Sequence, residues 1–319
     1  MKMNSTLLTL NMILTVSTLM SMSSNNWMFM WIMIEINTFT FMPLMTTNKM
    51  IDQPMKYFII QSTSSFTILL AVMYSSTNQK TMLEQKILML GFSMKLGMSP
   101  FHFWMPSIMS KLNWNKCIML ISIMKIPPML MCSSISSVKT MIPVISLSMI
   151  IGSIEGLKQT TLKKILAFSA ISNSAWMLMA FMLSKITATV FTSIYTMINV
   201  SLIVTTKKLS LIQINQVSMK TKKEKLSMTL NMMSMAGLPP LMGFFPKWII
   251  LSEMMTLSKL LSSIMISTSI ISMYFYMRIS FNSMMTSSQL KKSMIKTKLP
   301  PTSLTNVIGM TMIFLIAYS

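Results

Sequence analysis

The chain has 319 residues, 52% hydrophobic and only 10% charged, with a mean hydropathy of +0.62, which excludes an ordinary soluble domain and leaves little sequence for one beside membrane segments. The net charge of +21 does not make a nucleic-acid surface, because the lysines sit in short connections between apolar runs rather than on one face with aromatic platforms. One histidine, two cysteines and no C-x-x-C exclude a zinc, haem or iron-sulfur site, and neither G-x-G-x-x-G nor a P-loop is present for a nucleotide.

A membrane span needs about 20 residues, and the apolar runs predict eleven: roughly 3–22, 26–45, 57–75, 86–106, 117–136, 140–157, 164–184, 187–205, 227–254, 259–280 and 304–318. The fold class expected is therefore all-α, a single polytopic membrane domain over residues 1–319. The only long polar connections are Thr206 to Lys225 and Phe281 to Pro301. Lys2 precedes the first apolar run as in a signal peptide, but no small-residue cleavage site follows cleanly, and the run is read as a retained helix. With the first span starting on one side, A, the connections put eighteen lysines on that side. The opposite side, B, has Lys80, Lys86, Lys139, Lys185 and Lys259. By the positive-inside rule side A is the cytoplasm or the mitochondrial matrix. Forty-five methionines, and lysine for all but one of the 27 basic residues, fit AT-rich coding DNA and suggest a chain made inside an organelle, not imported behind an Arg-rich presequence.

The second span carries Glu35 about 12 Å along the axis from its B-side end, close to mid-membrane. Asn37 or Thr38 would suit a neutral carboxyl there, whereas a neighbouring lysine would hold it ionised, and Lys95 of the fourth span is the natural candidate. The fourth span contains Lys95-Leu-Gly-Met-Ser-Pro-Phe-His-Phe-Trp-Met-Pro106. A lysine near the bilayer centre costs roughly 3 kcal/mol unless it faces protein or water, so Lys95 is a site candidate, with His102 as a further one. Pro100 removes a backbone donor and Gly97 loosens the turn before it, which breaks the helix. The fifth span places Lys125 about 13 Å from either end, too deep to snorkel, and breaks at Pro127-Pro128. At that depth the surroundings rather than bulk water govern protonation, as a residue that repeatedly gains and loses a proton requires. Cys117 and Cys132 lie about 22 Å apart along this helix if it is regular, too far for a disulfide.

The connection from the sixth to the seventh span is a polar elbow in which Lys163 and Lys164 read as positive-inside anchors, and Asn173 beyond it lines a hydrated path or makes interhelical hydrogen bonds. In the ninth span the punctuation of the fourth recurs: Gly237-x2-Pro240-x5-Pro246 repeats the offsets of Gly97-x2-Pro100-x5-Pro106, with Lys247 close by. Paired interrupted segments point to an inverted-repeat transporter with its working site at the breaks. Repeat one then covers about 1–137 and repeat two about 138–282, each with its fourth helix discontinuous, and a closing helix takes 303–319. Arg278, near the A-side end of the tenth span, snorkels and is assigned no function.

These residues resemble the antiporter-like membrane subunits of mitochondrial NADH-ubiquinone oxidoreductase, respiratory complex I. The resemblance runs almost end to end. It rests on Trp31-Ile-Met-Ile-Glu-Ile-Asn37 with Pro43, Lys56-Tyr-Phe, the Lys95-to-Trp104 stretch, Met124-Lys-Ile-Pro127, Gly156-Leu-Lys-Gln-Thr-Thr-Leu-Lys-Lys with Ala167-Phe-Ser-Ala-Ile, and Gly237-Leu-Pro-Pro-Leu-Met-Gly-Phe-Phe-Pro-Lys-Trp248. It implies eleven transmembrane helices in two inverted five-helix repeats plus one, and a proton route through Glu35, Lys95, Lys125 and Lys247. It also implies that NADH, FMN, iron-sulfur clusters and ubiquinone are bound by other subunits, so that this chain has no cofactor of its own. The partners implied are the other membrane-arm and accessory subunits and the lipid bilayer, with cardiolipin at the basic matrix side, and no nucleic acid. The location implied is the mitochondrial inner membrane, N-terminus in the matrix and C-terminus toward the intermembrane space. The chain departs from the family at three positions: Asn173 stands where a histidine is usual and Ala175 where a glycine is, just before Trp176, and near Lys163 a lysine stands where arginine is frequent.

Overall fold

The computed structural model describes residues 5–46, 52–77, 82–214, 216 and 222–285, and among these it is helical apart from turns and one isolated bridge between Thr161 and Gln213. The helices in chain order are α1 (Ser5–Ser23), α2 (Trp27–Met45), α3 (Asp52–Thr77), α4 (Met82–Leu96), α5 (Trp104–Lys111), α6 (Trp114–Ile121), α7 (Ile126–Ile135), α8 (Val138–Lys158), α9 (Leu162–Leu183), α10 (Lys185–Lys208), α11 (Lys222–Ala236), α12 (Phe244–Leu257) and α13 (Lys259–Met285). Among the described residues eight segments are long and apolar enough to cross a membrane: α1, α2, the greater part of α3, Trp114–Ile135, α8, α9, α10 and Lys259–Phe281. The predicted fourth and ninth spans appear as the helix pairs α4/α5 and α11/α12, and the predicted eleventh, 304–318, lies outside the described residues.

With no water in the bilayer, backbone groups must find partners inside the chain, and helices supply them. The many serines and threonines do not disturb this. Their hydroxyls turn back onto the carbonyl three residues earlier, as Thr18 does to Thr15 at 2.8 Å, Ser148 to Ile145 at 2.9 Å and Ser174 to Ile171 at 2.7 Å. At the start of α10 the Ser184 hydroxyl accepts the Thr187 amide at 3.1 Å, an N-cap at a chain reversal.

The helices form two compact units. One takes the described residues up to Ser148 together with Ala170–Met182, and the other takes Met149–Ser169 and the described residues from Leu183 on, so that α9 contributes to both. In the first unit α2 packs between α1 and α3, α3 packs on α4, and α7 lies against α1, α2 and α4. In the second, α11 and α12 both pack on α10 and on α13.

Two expectations need correction. The fifth span is irregular before its prolines rather than at them: Ile123–Lys125 forms a 3-10 turn, and Pro127 and Pro128 sit in the first turn of α7. A proline in the first turn of a helix has no intrahelical bond to lose, so the chain restarts its helix there and puts the disruption in the preceding turn. Lys225, read as part of a loop, lies in α11 and is 1% exposed, because the helix begins at Lys222.

Candidate functional site

In each unit one helix is broken by a glycine, and the two breaks share their local bonding. Gly97 has φ +66° and Gly237 φ +83°, the left-handed region that ends a helix without the Cβ penalty. Beyond Gly97 the Met98 amide donates to the Ser93 carbonyl at 2.9 Å. Beyond Gly237 the Leu238 amide donates to the Met233 carbonyl at 3.4 Å. Both are the six-to-one bond of a Schellman cap. At the first break a side chain adds to the cap: Trp104 Nε1 donates at 3.1 Å to the Met94 oxygen, which also accepts the Gly97 amide at 3.3 Å, and a Cβ on Gly97 would stand 3.0 Å from the same ring.

Lys95 occupies the last turn of α4, immediately before the break, and meets Glu35 of α2. Lys95 Nζ lies 3.0 Å from Glu35 Oε1, with side-chain exposures of 2% and 17%, so the pair is largely withdrawn from solvent. Each charge alone would be costly at this depth, and the partner offsets much of that cost. The local alternatives for the carboxyl are not taken: the Thr38 hydroxyl donates to the Glu35 backbone carbonyl at 2.8 Å, and Asn37 uses its oxygen to accept from the Ser17 hydroxyl of α1 while its Nδ2 has no hydrogen-bond partner among the described residues. Gln61 of α3 donates its amide to the Lys95 carbonyl at 3.2 Å, tying off another acceptor at the break. Sequence reasoning passed over Gln61, although a glutamine inside an apolar span was a signal for it.

Lys125 ends the 3-10 turn, is 4% exposed, and donates through Nζ to the Ala170 carbonyl of α9 at 2.8 Å. Lys95 and Lys125 line one cavity of about 20 Å³, together with Asn37, Thr38, Tyr57 and Gln61. One water needs roughly 10–15 Å³ of such space and two to four polar partners, so the cavity has room and partners for one. Lys95 and Lys125 thus both border a space large enough for one water.

Lys247, in the first turn of α12, is 8% exposed and donates to the Ala236 carbonyl at 3.2 Å, across the break from its own helix. His102 is 5% exposed within the first break, with Nδ1 3.2 Å from the Pro100 oxygen, and is not among the residues lining the cavity. Asn173 of α9 is buried and Arg278 of α13 is exposed. Cys117 and Cys132 are both buried and in no disulfide, and no cluster of metal-ligating side chains occurs among the described residues.

Apolar helices that carry buried ionisable side chains at glycine-broken turns define a polytopic membrane protein with the hallmarks of an ion carrier. Comparison with known proteins narrows the class. The family described as "NADH:quinone oxidoreductase/Mrp antiporter, TM" matches residues 24–272. NADH-ubiquinone oxidoreductase chain 2 of Locusta migratoria is 35% identical over 93% of this chain and 93% of its own length, and that of Gallus gallus is 34% identical over 86% and 84%. In fold the chain is similar to a chain of respiratory complex I from Thermus thermophilus, with a TM-score of 0.79 and 17% identity over 98% of this chain and 77% of that one. A chain of the Mrp complex from Dietzia sp. gives a TM-score of 0.73 with 14% identity, over 85% and 59%. The chain belongs to the NADH:quinone oxidoreductase/Mrp antiporter transmembrane family, among the NADH-ubiquinone oxidoreductase chain 2 proteins.

Proposed function

We propose that the chain is a proton-translocating, antiporter-like subunit of the respiratory NADH:ubiquinone oxidoreductase in the mitochondrial inner membrane. In this reading Glu35 and Lys95 form the charge pair, Lys125 is the relay, and Lys247 carries the corresponding step at the second broken helix. The observation that carries it is the arrangement of the first unit: a buried Lys95–Glu35 pair at 3.0 Å and Lys125 on the same water-sized cavity. A proton leaving Lys95 Nζ passes to a water in that cavity and on to Lys125 Nζ. The Ala170 carbonyl accepts a hydrogen bond from the Lys125 nitrogen whether that nitrogen is ammonium or amine. Glu35 stays behind as the fixed anion that draws the next proton to Lys95.

The finer architecture belongs to the same proposal: eleven spans, in two inverted five-helix repeats and a closing helix, with the N-terminus in the matrix. The matching caps at Gly97 and Gly237 support the repeat, and the lysine bias of the connections supports the orientation. The partners are the other membrane-arm and accessory subunits and the bilayer lipids, cardiolipin included. NADH, flavin, iron-sulfur clusters and ubiquinone act in those other subunits, and their coupling reaches this chain mechanically or electrostatically. Gentle solubilisation tests the assignment: the chain is expected to migrate with NADH dehydrogenase activity. A chain found only in particles that lack that activity, yet exchanging cations for protons, would overturn it in favour of a stand-alone antiporter.

A further inference from the structure

The second unit contains a recess of about 560 Å³ that the proton route does not use. Its wall is a pinned piece of backbone: the Leu162 amide donates to the Ile212 carbonyl at 3.0 Å, the Ile214 amide to the Thr160 carbonyl at 3.3 Å, and Thr161 pairs with Gln213. The end of α8 and one face of α13 complete it, closing inward where a Cβ on Gly156 would come within 3.3 Å of Phe275. The lining is two-sided in chemistry. Arg278, Lys158, Gln159 and Gln213 supply hydrogen-bond donors, and Phe275 and Ile279 an apolar floor. Lys158 is already bonded to Glu155 at 2.8 Å, whereas Arg278 forms no ion pair among the described residues. The volume is within the roughly 300–1,000 Å³ of small-molecule sites.

The place of the recess identifies its occupant. It lies where the C-terminal ends of α8 and α10 meet the N-terminal end of α9, the end of the unit that carries Lys158, Lys163, Lys164, Lys207 and Lys208. Lysines gathered at one end of a set of spanning helices mark the level of the lipid headgroups. The anion concentrated at that level is the phosphate of an anionic lipid, and a basic pocket between helices there suits one. Arg presents a planar fork that bonds two phosphate oxygens at once, and amide side chains beside it add donors. An apolar floor directly below has no use for a free inorganic anion but accommodates the first methylenes of an acyl chain.

We propose that this recess binds one anionic phospholipid, its phosphate on Arg278 with Gln159 and Gln213, and its acyl chain along Phe275 and Ile279. The proposal rests on the chain being a membrane subunit and not on the Lys95–Lys125 relay. The test uses the intact complex, delipidated in detergent and then titrated with a photoreactive phosphatidylglycerol, the adducts being mapped by peptide mass spectrometry. Adducts are expected on the segments 156–160 and 275–279. They should weaken about fivefold with Arg278→Gln, the loss of one interfacial cation, and recover with Arg278→Lys. A phosphatidylcholine probe with the same chains should label these segments less, and millimolar inorganic phosphate should not compete. Equal labelling in the wild type and Arg278→Gln would overturn the proposal. So would full competition by inorganic phosphate, which would make the site one for a free anion, or density for a protein side chain filling the recess in the assembled complex. None of these outcomes bears on pumping, which the same preparation reports separately.

Discussion

The two broken helices end on the same cap and differ in where the lysine stands. In the first unit Lys95 comes before the break and finds a carboxylate 3.0 Å away on another helix. In the second, Lys247 comes after the break and donates to a carbonyl 3.2 Å away on the helix it has just left. The backbone device is shared, then, and the place of the lysine relative to it is not. A carboxylate holds a positive charge in place, whereas a carbonyl only accepts a hydrogen bond and serves an amine as well as an ammonium. Lys125, whose partner is the Ala170 carbonyl, belongs with Lys247 in this respect. In the proposed route Glu35 is the fixed anion that favours a charged Lys95, and the carbonyl-bonded lysines are held equally well as amine or ammonium.

The sharpest way to break this contrast is to remove the anion. Glu35→Gln leaves Lys95 buried without its partner, a loss worth several kcal/mol in other buried pairs, and is expected to slow proton-coupled quinone reduction at least about tenfold. Glu253→Gln in α12 is expected to leave it unchanged. Coupled NADH oxidation and proton uptake in sealed vesicles measure both, and equal losses would erase the distinction between the units.

The caps offer a smaller effect. Alanine at either glycine forces a left-handed residue, about 1–2 kcal/mol, but the added methyl meets different neighbours. At Gly97 it stands 3.0 Å from the rigid Trp104 ring, and at Gly237 it stands 3.2 Å from the flexible tip of Lys247. Gly97→Ala is expected to lower the amount of assembled complex on heating, read by native electrophoresis. Gly237→Ala is expected to assemble better and lose turnover instead, because the atom that moves aside is the Lys247 nitrogen proposed to carry the proton.

The smallest effect is expected from Ser17→Ala, which removes the hydroxyl that bonds Asn37 beside the pair. The loss is about 1 kcal/mol of stability, visible as a slightly lower midpoint of thermal inactivation with turnover retained. A collapse of turnover would mean that Asn37 takes part in the route and that the pair is not self-sufficient.

The sequence made some of this legible and hid the rest for identifiable reasons. Glu35 is the one acidic residue deep in a predicted span, so Lys95 had a single natural partner, and the two do meet. The breaks were legible because glycine and proline act on the backbone wherever they stand, and their spacing repeats. The partners of Lys125 and Lys247 were not legible, since a backbone carbonyl is offered by every residue and leaves no mark on the sequence. The break of the fifth span falls at Ile123–Lys125 and not at Pro127-Pro128 because a proline disturbs the turn before it. Lys225 was misplaced because a run of lysines looks the same in a loop and in the first turns of a helix.

The central claim, that Lys125 exchanges its proton with Lys95 across the cavity, is tested most directly by the number of protons taken up per NADH oxidised in complexes carrying Lys125→Met or Lys125→Arg. Methionine keeps most of the volume and cannot titrate, and arginine stays charged. Both variants are expected to assemble and to show a lowered proton yield. A full proton yield with methionine at 125 would contradict the account.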